Sequence, residues 1–274
     1  FQAEDGIRDK QICLVGSEMC IRDSPAAALL ALGACAPAPE ADAADAEEAA
    51  RAEEGDVSRD GAGQEAMNTL TSQEEADGWE LLFDGDDLDG WRGFRRDDLP
   101  EGWGAEDGLL VRSSGQGDII TREVYRDFEL SVEWMVREAG NSGIFYRASE
   151  EVDRIFEGAP EMQVLDDAGH VDGGDPLTSA GANYGLHPAP RGVAHPAGEW
   201  NHARIRVQGN RVTHWLNGER IVDYELGSED WARLVAGSKF AEWPEYGTFV
   251  EGHIGLQDHG DWVAYRNLKI RRIN

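Results

Sequence analysis

The three cysteines of this 274-residue chain, Cys13, Cys20 and Cys35, all fall at its N-terminal end, so nothing after Cys35 can form a disulfide or a thiolate metal site. Such avoidance suits an oxidising compartment. Aromatic residues are missing from residues 36–78, whereas all nine Trp and all six Tyr lie between Trp79 and Tyr265. Positive charge is scarce as well. With 25 Lys and Arg against 54 Asp and Glu, the formal net charge is −29, which argues against nucleic acid or an anionic membrane surface as a partner. A neutral ligand such as a sugar is not opposed by this field. No Gly-rich phosphate loop, no nucleophile elbow and no repeat of fixed period is present.

The chain divides by composition. Residues 36–78 hold 13 acids against two bases, Arg51 and Arg59, and too little apolar surface to offset the entropy of ordering; they read as a disordered acidic tether. Before it, residues 25–35 form an apolar run ending in Leu32-Gly33-Ala34-Cys35, which is similar to a bacterial lipobox with Cys35 as the lipidated residue. The run is too short to span a bilayer by itself. An exported protein, held at the cell envelope only through an N-terminal lipid on its periplasmic or surface face, is the expectation. Residues 1–24 resemble translated sequencing-adapter read-through and are expected to be non-native, which would leave Cys35 as the one genuine cysteine.

Residues 79–274 are a normal size for one domain with a sizeable core. Short alternating segments punctuated by Gly, Asn and Asp predict strands at 108–112, 128–136, 143–147, 161–165, 201–208, 211–216, 220–224, 252–258 and 264–271. Asn217-Gly218 is a strong hairpin signal, and with Gly209-Asn210 it makes 201–224 a three-stranded meander. Residues 228–240 are the one plausible helix. The spacing suits a β-sandwich or jelly roll. The acidic run from Asp84 to Gly90 fails as a calcium loop, because Leu88 and Arg95 stand where ligands should be. His187 and His195 are eight apart and lack the one-turn spacing of a zinc helix.

Period-two alternation sorts the side chains by face. It sets Ser131, Glu133 and Met135 against Val132, Trp134 and Val136; Phe145 and Arg147 against Ile144 and Tyr146; and Glu161 and Gln163 against Met162 and Val164. One face can then present Glu133, Arg147, Glu161, Gln163, Gln257 and His259. Carboxylates, Arg, amides and His with many Trp are a sugar-binding palette of planar hydrogen bonds and stacking. A solvated antiparallel face is the bland alternative.

Leu81-Leu82-Phe83-Asp84-Gly85 with Gly90-Trp91, Asn141-Ser142-Gly143-Ile144-Phe145-Tyr146-Arg147, Glu161-Met162-Gln163-Val164-Leu165-Asp166, Gly198-Glu199-Trp200-Asn201 and Gly255-Leu256-Gln257-Asp258-His259-Gly260 with Arg266-Asn267-Leu268 occur in this order. The set resembles the 3-keto-disaccharide hydrolase family. That resemblance implies an all-β, concanavalin-like (lectin-like) jelly-roll sandwich with one short helix, acting by hydrolysis or elimination on glycosides whose C3 hydroxyl is oxidised to a ketone. A C3 ketone acidifies the C2 proton, so the chemistry needs a base, a partner for the enolate oxygen and an acid for the leaving oxygen. Carried onto matching positions, these are Glu161, Arg147 and His259, with Glu133, Gln163, Asp166 and Gln257 holding sugar hydroxyls. No cofactor is expected, although a divalent metal in place of one of these groups stays open. Two other readings compete: a non-catalytic carbohydrate-binding module, and a retaining glycosidase with two carboxylates roughly 5 Å apart.

Overall fold

The structure, a computed structural model, describes residues 67–273. Along the chain come α1 (Ser72–Ala76), β1 (Trp79–Leu81), β2 (Trp91–Gly93), β3 (Trp103–Glu106), β4 (Leu109–Arg112), β5 (Ile119–Thr121), β6 (Phe128–Val136), β7 (Asn141–Ala148), β8 (Glu161–Leu165), β9 (Asn201–Gln208), β10 (Arg211–Leu216), β11 (Glu219–Glu225), α2 (Glu229–Ala236), β12 (His253–Leu256) and β13 (Val263–Arg272). Short 3₁₀ turns add Ile155–Glu157, Val171–Gly174 and Lys239–Glu242. All nine expected strands are present. The four that alternation did not reveal, β1, β2, β3 and β5, have only three or four residues each, too few to show a period.

The strands form two antiparallel sheets. One runs β11-β10-β9-β6-β13-β4-β3, with β1 pairing the C-terminal half of β13 beyond the end of β4; the other runs β2-β5-β12-β7-β8. Leu130, Val132 and Trp134 of the first sheet and Ile144, Met162 and Val164 of the second are fully buried in one cluster, so the sheets share a core as a sandwich. The inward and outward sets on β6 and β8, and on β7 as far as Tyr146, follow from period-two alternation, because reversing one would move a whole apolar row into water. Asn217 and Gly218 both take positive φ, 49° and 85°, as a type I′ turn requires. The expected helix at 228–240 is cut short: α2 starts after the Ser228 cap and stops at Gly237, and Ser238 then caps the separate turn carrying Lys239 and Phe240.

The tether reading needs correction at its C-terminal end. Residues 67–78 belong to the fold: the Asn68 amide N–H donates to Asn267 Oδ1 and the Asn267 amide N–H to Asn68 Oδ1, both at 2.8 Å. Asn68 Nδ2 also donates to the Gly108 carbonyl. Composition missed this because a single buried Asn, not an apolar stripe, fixes the segment. Residues 1–66, which include the lipobox and most of the tether, lie outside the described residues. Among the described residues no helix is long and apolar enough to cross a membrane.

Candidate active site

Glu161 and Gln163 point outward from β8, the edge strand of the five-stranded sheet. Gln163 pairs with Gly143 and Glu161 with Phe145, so the face beside the carboxylate is left open at Gly143, and Glu161 lies across it. The free edge of β8 is not exposed. The segment 181–184 pairs with it through Gly181 N–H to Gln163 O, Gln163 N–H to Ala182 O and Tyr184 N–H to Glu161 O, which brings Tyr184 to the site. Phe240 stacks on Tyr246 with ring centroids 4.0 Å apart, fixing the turn from which Lys239 enters.

These elements enclose a cavity of about 180 Å³ lined by Glu161, Gln163 and Asn141 from the sheet, Gln257 and His259 from the segment after β12, and Phe156, Tyr184, Lys239 and Phe240 from the covering loops. It is smaller than the roughly 300–1,000 Å³ of sites for drug-sized ligands. One sugar ring, not a long chain, matches that scale. Glu161 is 7% exposed. Burial pushes its carboxyl up to about 8, partly countered by the Lys239 charge and reinforced by Asp118. Burial in turn lowers the Lys239 ammonium, against the pull of Glu161 and Asp172. Around Glu161, Gln163 Oε1 and Nε2, Gln257 Oε1 and Asn141 Oδ1 are buried without a protein partner. Buried polar atoms are normally satisfied, and amides left open in a cavity suit a ligand rich in hydroxyls.

The segment after β12 is held from below. Asp258 pairs with the buried Arg112 and accepts from Gly117 and Gly260 N–H, while its own N–H donates to Asp118. Burial next to Asp258 pushes the Asp118 carboxyl up to about 6. This fixes Gln257 in the cavity and leaves His259 at the rim, half-exposed and 3.9 Å from Asp261.

Of the residues expected at the site, Glu161, Gln163, Gln257 and His259 come together, and three do not. Arg147 sits on a bulge: two residues of β7, Tyr146 and Arg147, oppose Ile254 alone, and Arg147 takes φ 53°. The bulge breaks the alternation, and the guanidinium turns away to the carbonyls of Gly209 and Arg126 and to Asp127. Glu133 lies in the other sheet, on its outer face, paired with Arg266 and Asn267. Asp166 accepts the amides of Ala139 and Ala168 and holds a loop, not a ligand. Sequence reasoning missed Asn141, Phe156, Tyr184, Lys239 and Phe240. Four of these come from covering loops, where no period exists to place them; Asn141 was visible in the Asn-Ser-Gly-Ile segment.

Among the described residues Glu161 is the one carboxylate lining the cavity, so a pair flanking the substrate as in a retaining glycosidase is not formed. Nor do the described residues contain a group of three or more His, Cys, Asp or Glu placed to hold a metal. A single buried carboxylate with a raised pKa, facing a cation and open amides, is equipped to take and return a proton on a polyhydroxylated ligand.

Residues 78–271 match the family described as the 3-keto-alpha-glucoside-1,2-lyase-like domain. The chain is similar to a 3-keto-disaccharide hydrolase of Bacteroides thetaiotaomicron, 36% identical over 237 residues that make up 75% of this chain and 82% of the relative. A solved structure of a candidate glycosyl hydrolase from Parabacteroides distasonis is 34% identical and covers 76% of this chain and all of its own, with a TM-score of 0.72. A second from that organism is 31% identical over 71% of this chain and 99% of its own, with a TM-score of 0.56.

Proposed function

Because the chain belongs to the family of 3-keto-alpha-glucoside-1,2-lyase-like domains, we propose that it cleaves glycosides bearing a ketone at C3, with Glu161 as the base that removes the C2 proton. The observation that carries this is Glu161 itself, a lone carboxylate at the buried side of a cavity, its pKa pushed up to about 8 by burial. A carboxylate whose pKa is raised is a stronger base toward a carbon acid than an ordinary one, because its conjugate acid lies closer in pKa to the proton it removes. Proton removal from C2 moves the C–H electron pair into a C2–C3 enolate. The enolate then re-forms the ketone while the C1–O bond breaks, leaving a C1–C2 double bond, and the departing oxygen takes a proton. His259 at the rim, or the protonated Glu161, supplies that proton. Addition of water across the double bond turns the lyase product into the hydrolysis product, so both outcomes share this first half. Gln163, Gln257 and Asn141 hold the ring hydroxyls through their unpartnered amide atoms.

The test is to incubate the protein with a 3-keto-glucoside and with its unoxidised parent. Cleavage of the keto sugar alone is expected. Rapid cleavage of the parent, whose C2 proton is not acidified, would refute the mechanism.

Leu32-Gly33-Ala34-Cys35 supports a further part of this reading, that the enzyme is exported and lipid-anchored at the cell envelope. Exported by a bacterial host, the protein should partition into detergent and the Cys35→Ser form should not. Equal partitioning of the two would overturn the anchor.

A further inference from the structure

The chain strongly prefers arginine: only Lys10, Lys239 and Lys269 are lysines among 25 basic residues. Lys269 is engaged with Glu74 on the outer face of the other sheet. Lys239 is different. Among the described residues no carboxylate lies within salt-bridge distance of its Nζ, which is instead held over the Tyr184 ring, 4.3 Å from the centroid, and 5.3 Å from that of Phe240. Its position is set by the chain, since Gly237 ends α2 and the Ser238 hydroxyl accepts the Phe240 amide to start the turn that begins at Lys239. The cavity wall thus carries an ammonium group held over two aromatic faces, with no hydrogen bond to another group among the described residues, on the same ligand volume as Glu161.

We infer that Lys239 is the group against which the enolate oxygen forms, donating from Nζ to the C3 oxygen of the keto sugar as Glu161 removes the C2 proton. This rests on the keto-sugar reading of the site and supplies the charge that Arg147, turned away on its bulge, does not. Lys239 stands at the solvent side of the cavity and Glu161 at its buried side, and a positioned cation aimed at developing negative charge stabilises the transition state more than the ground state. A lysine suits this place because a compact point charge fits beside a single oxygen, whereas a planar fork presents two parallel donors. No bond to nitrogen forms: the proton removed from C2 stays with Glu161 until the leaving oxygen takes it, and Lys239 keeps its three protons throughout.

The full chain and its Lys239→Met and Lys239→Arg forms would be compared in two assays. One measures cleavage of a 3-keto-glucoside across pH. The other measures deuterium uptake from D₂O at C2 of a 3-keto-1,5-anhydroglucitol, which has no leaving group and reports enolate formation alone. Lys239→Met should lower kcat and the exchange rate by about 10²-fold with little change in KM. Lys239→Arg should recover part of both. In Lys239→Met the rise of activity with pH should also move to higher pH, because the charges facing Glu161 are Lys239 and Asp118, and removing the cation leaves the anion. Exchange and cleavage at the native rate by Lys239→Met would overturn the inference while leaving the keto-sugar reading intact. Loss of activity with an unmoved pH profile and no recovery by Arg would also overturn it, in favour of a structural role. A borohydride-trapped adduct on Lys239 would replace it with an imine mechanism. A native chain that neither cleaves nor exchanges would remove the keto-sugar reading and this inference together.

Discussion

The Glu161 carboxylate occupies the space a side chain at position 143 would need: a Cβ placed on Gly143 would lie 2.0 Å from Glu161 Oε1 and 2.7 Å from its Cδ. Glycine is required there for a steric reason, since Gly143 has no positive φ to satisfy. The pair couples the floor of the site to its base.

Gly143→Ala should therefore separate folding from function. The clash is with the end of a side chain, which can swing aside, so the melting temperature should change by less than about 3 °C, equivalent to roughly 1 kcal/mol. Turnover should fall by about 10-fold to 10²-fold, because a displacement near 1 Å removes the base from its line to C2. Kinetics and thermal melts on the same preparation check this, and full activity would show that Glu161 works from another position.

Glu161 also makes pH predictions of definite sign. With the carboxyl raised to about 8, kcat/KM should climb with pH through that region, and Glu161→Gln should abolish the climb and lower turnover by about 10²-fold or more. For stability, the unfolded carboxyl ionises near 4.5 while the folded one stays protonated until about 8. Between those values the folded state holds the extra proton, so stability falls as pH rises through the window and levels off above it. Its size is a few kcal/mol. Glu161→Gln has no such proton, so its melting temperature should overtake that of the native chain as pH goes from 5 to 8.

The same residues show what the sequence could and could not reveal. Glu161 and Gln163 were found by alternation because β8 is regular and its register with β7 is unbroken. Arg147 was misplaced because one bulge residue reverses the face, and nothing local in Tyr146-Arg147-Ala148 announces a positive φ at an arginine. Glu133 was misplaced for another reason: alternation assigns faces within a strand but not strands to sheets, and β6 lies in the other sheet. Tyr184 and Lys239 come from loops that close over the sheet, and their positions depend on the edge pairing of 181–184 and on the break at Gly237, which are tertiary facts.

Arg147 should behave as a structural residue. It is buried, and its guanidinium ties β7 to the carbonyls of Gly209 and Arg126 at the end of the sandwich. Arg147→Met leaves those carbonyls without the guanidinium donor and removes the cation beside Asp127, which keeps the Gly209 amide, a loss of roughly 1–3 kcal/mol. A melting temperature lower by about 3–10 °C follows for a domain of this size. The kcat of the folded variant at 20 °C should stay within about threefold of native, whereas a residue stabilising the enolate would cost about 10²-fold. Steady-state kinetics well below the melting point distinguish the two.

The N-terminal boundary gives the last test. If composition alone governed, a chain beginning at residue 79 would be nearly as stable as one beginning at residue 67, since residues 67–78 contain only two large apolar side chains, Met67, which is exposed, and Leu70, which is half-buried. The structure says otherwise, because Asn68 is 5% exposed and satisfies both the amide and the side chain of Asn267 at the bulge in β13 as well as the Gly108 carbonyl. Asn267 itself holds φ 51°, a conformation that costs energy unless its surroundings enforce it. Removing residues 67–78 takes away the three bonds and that enforcement, about 0.5–1.5 kcal/mol for each bond. The shorter chain should melt about 5–10 °C lower. Asn68→Ala in the full chain should reproduce most of the loss, while Gln73→Ala on the exposed side of α1 should not; equal melting of the 67 and 79 starts would return the segment to the tether.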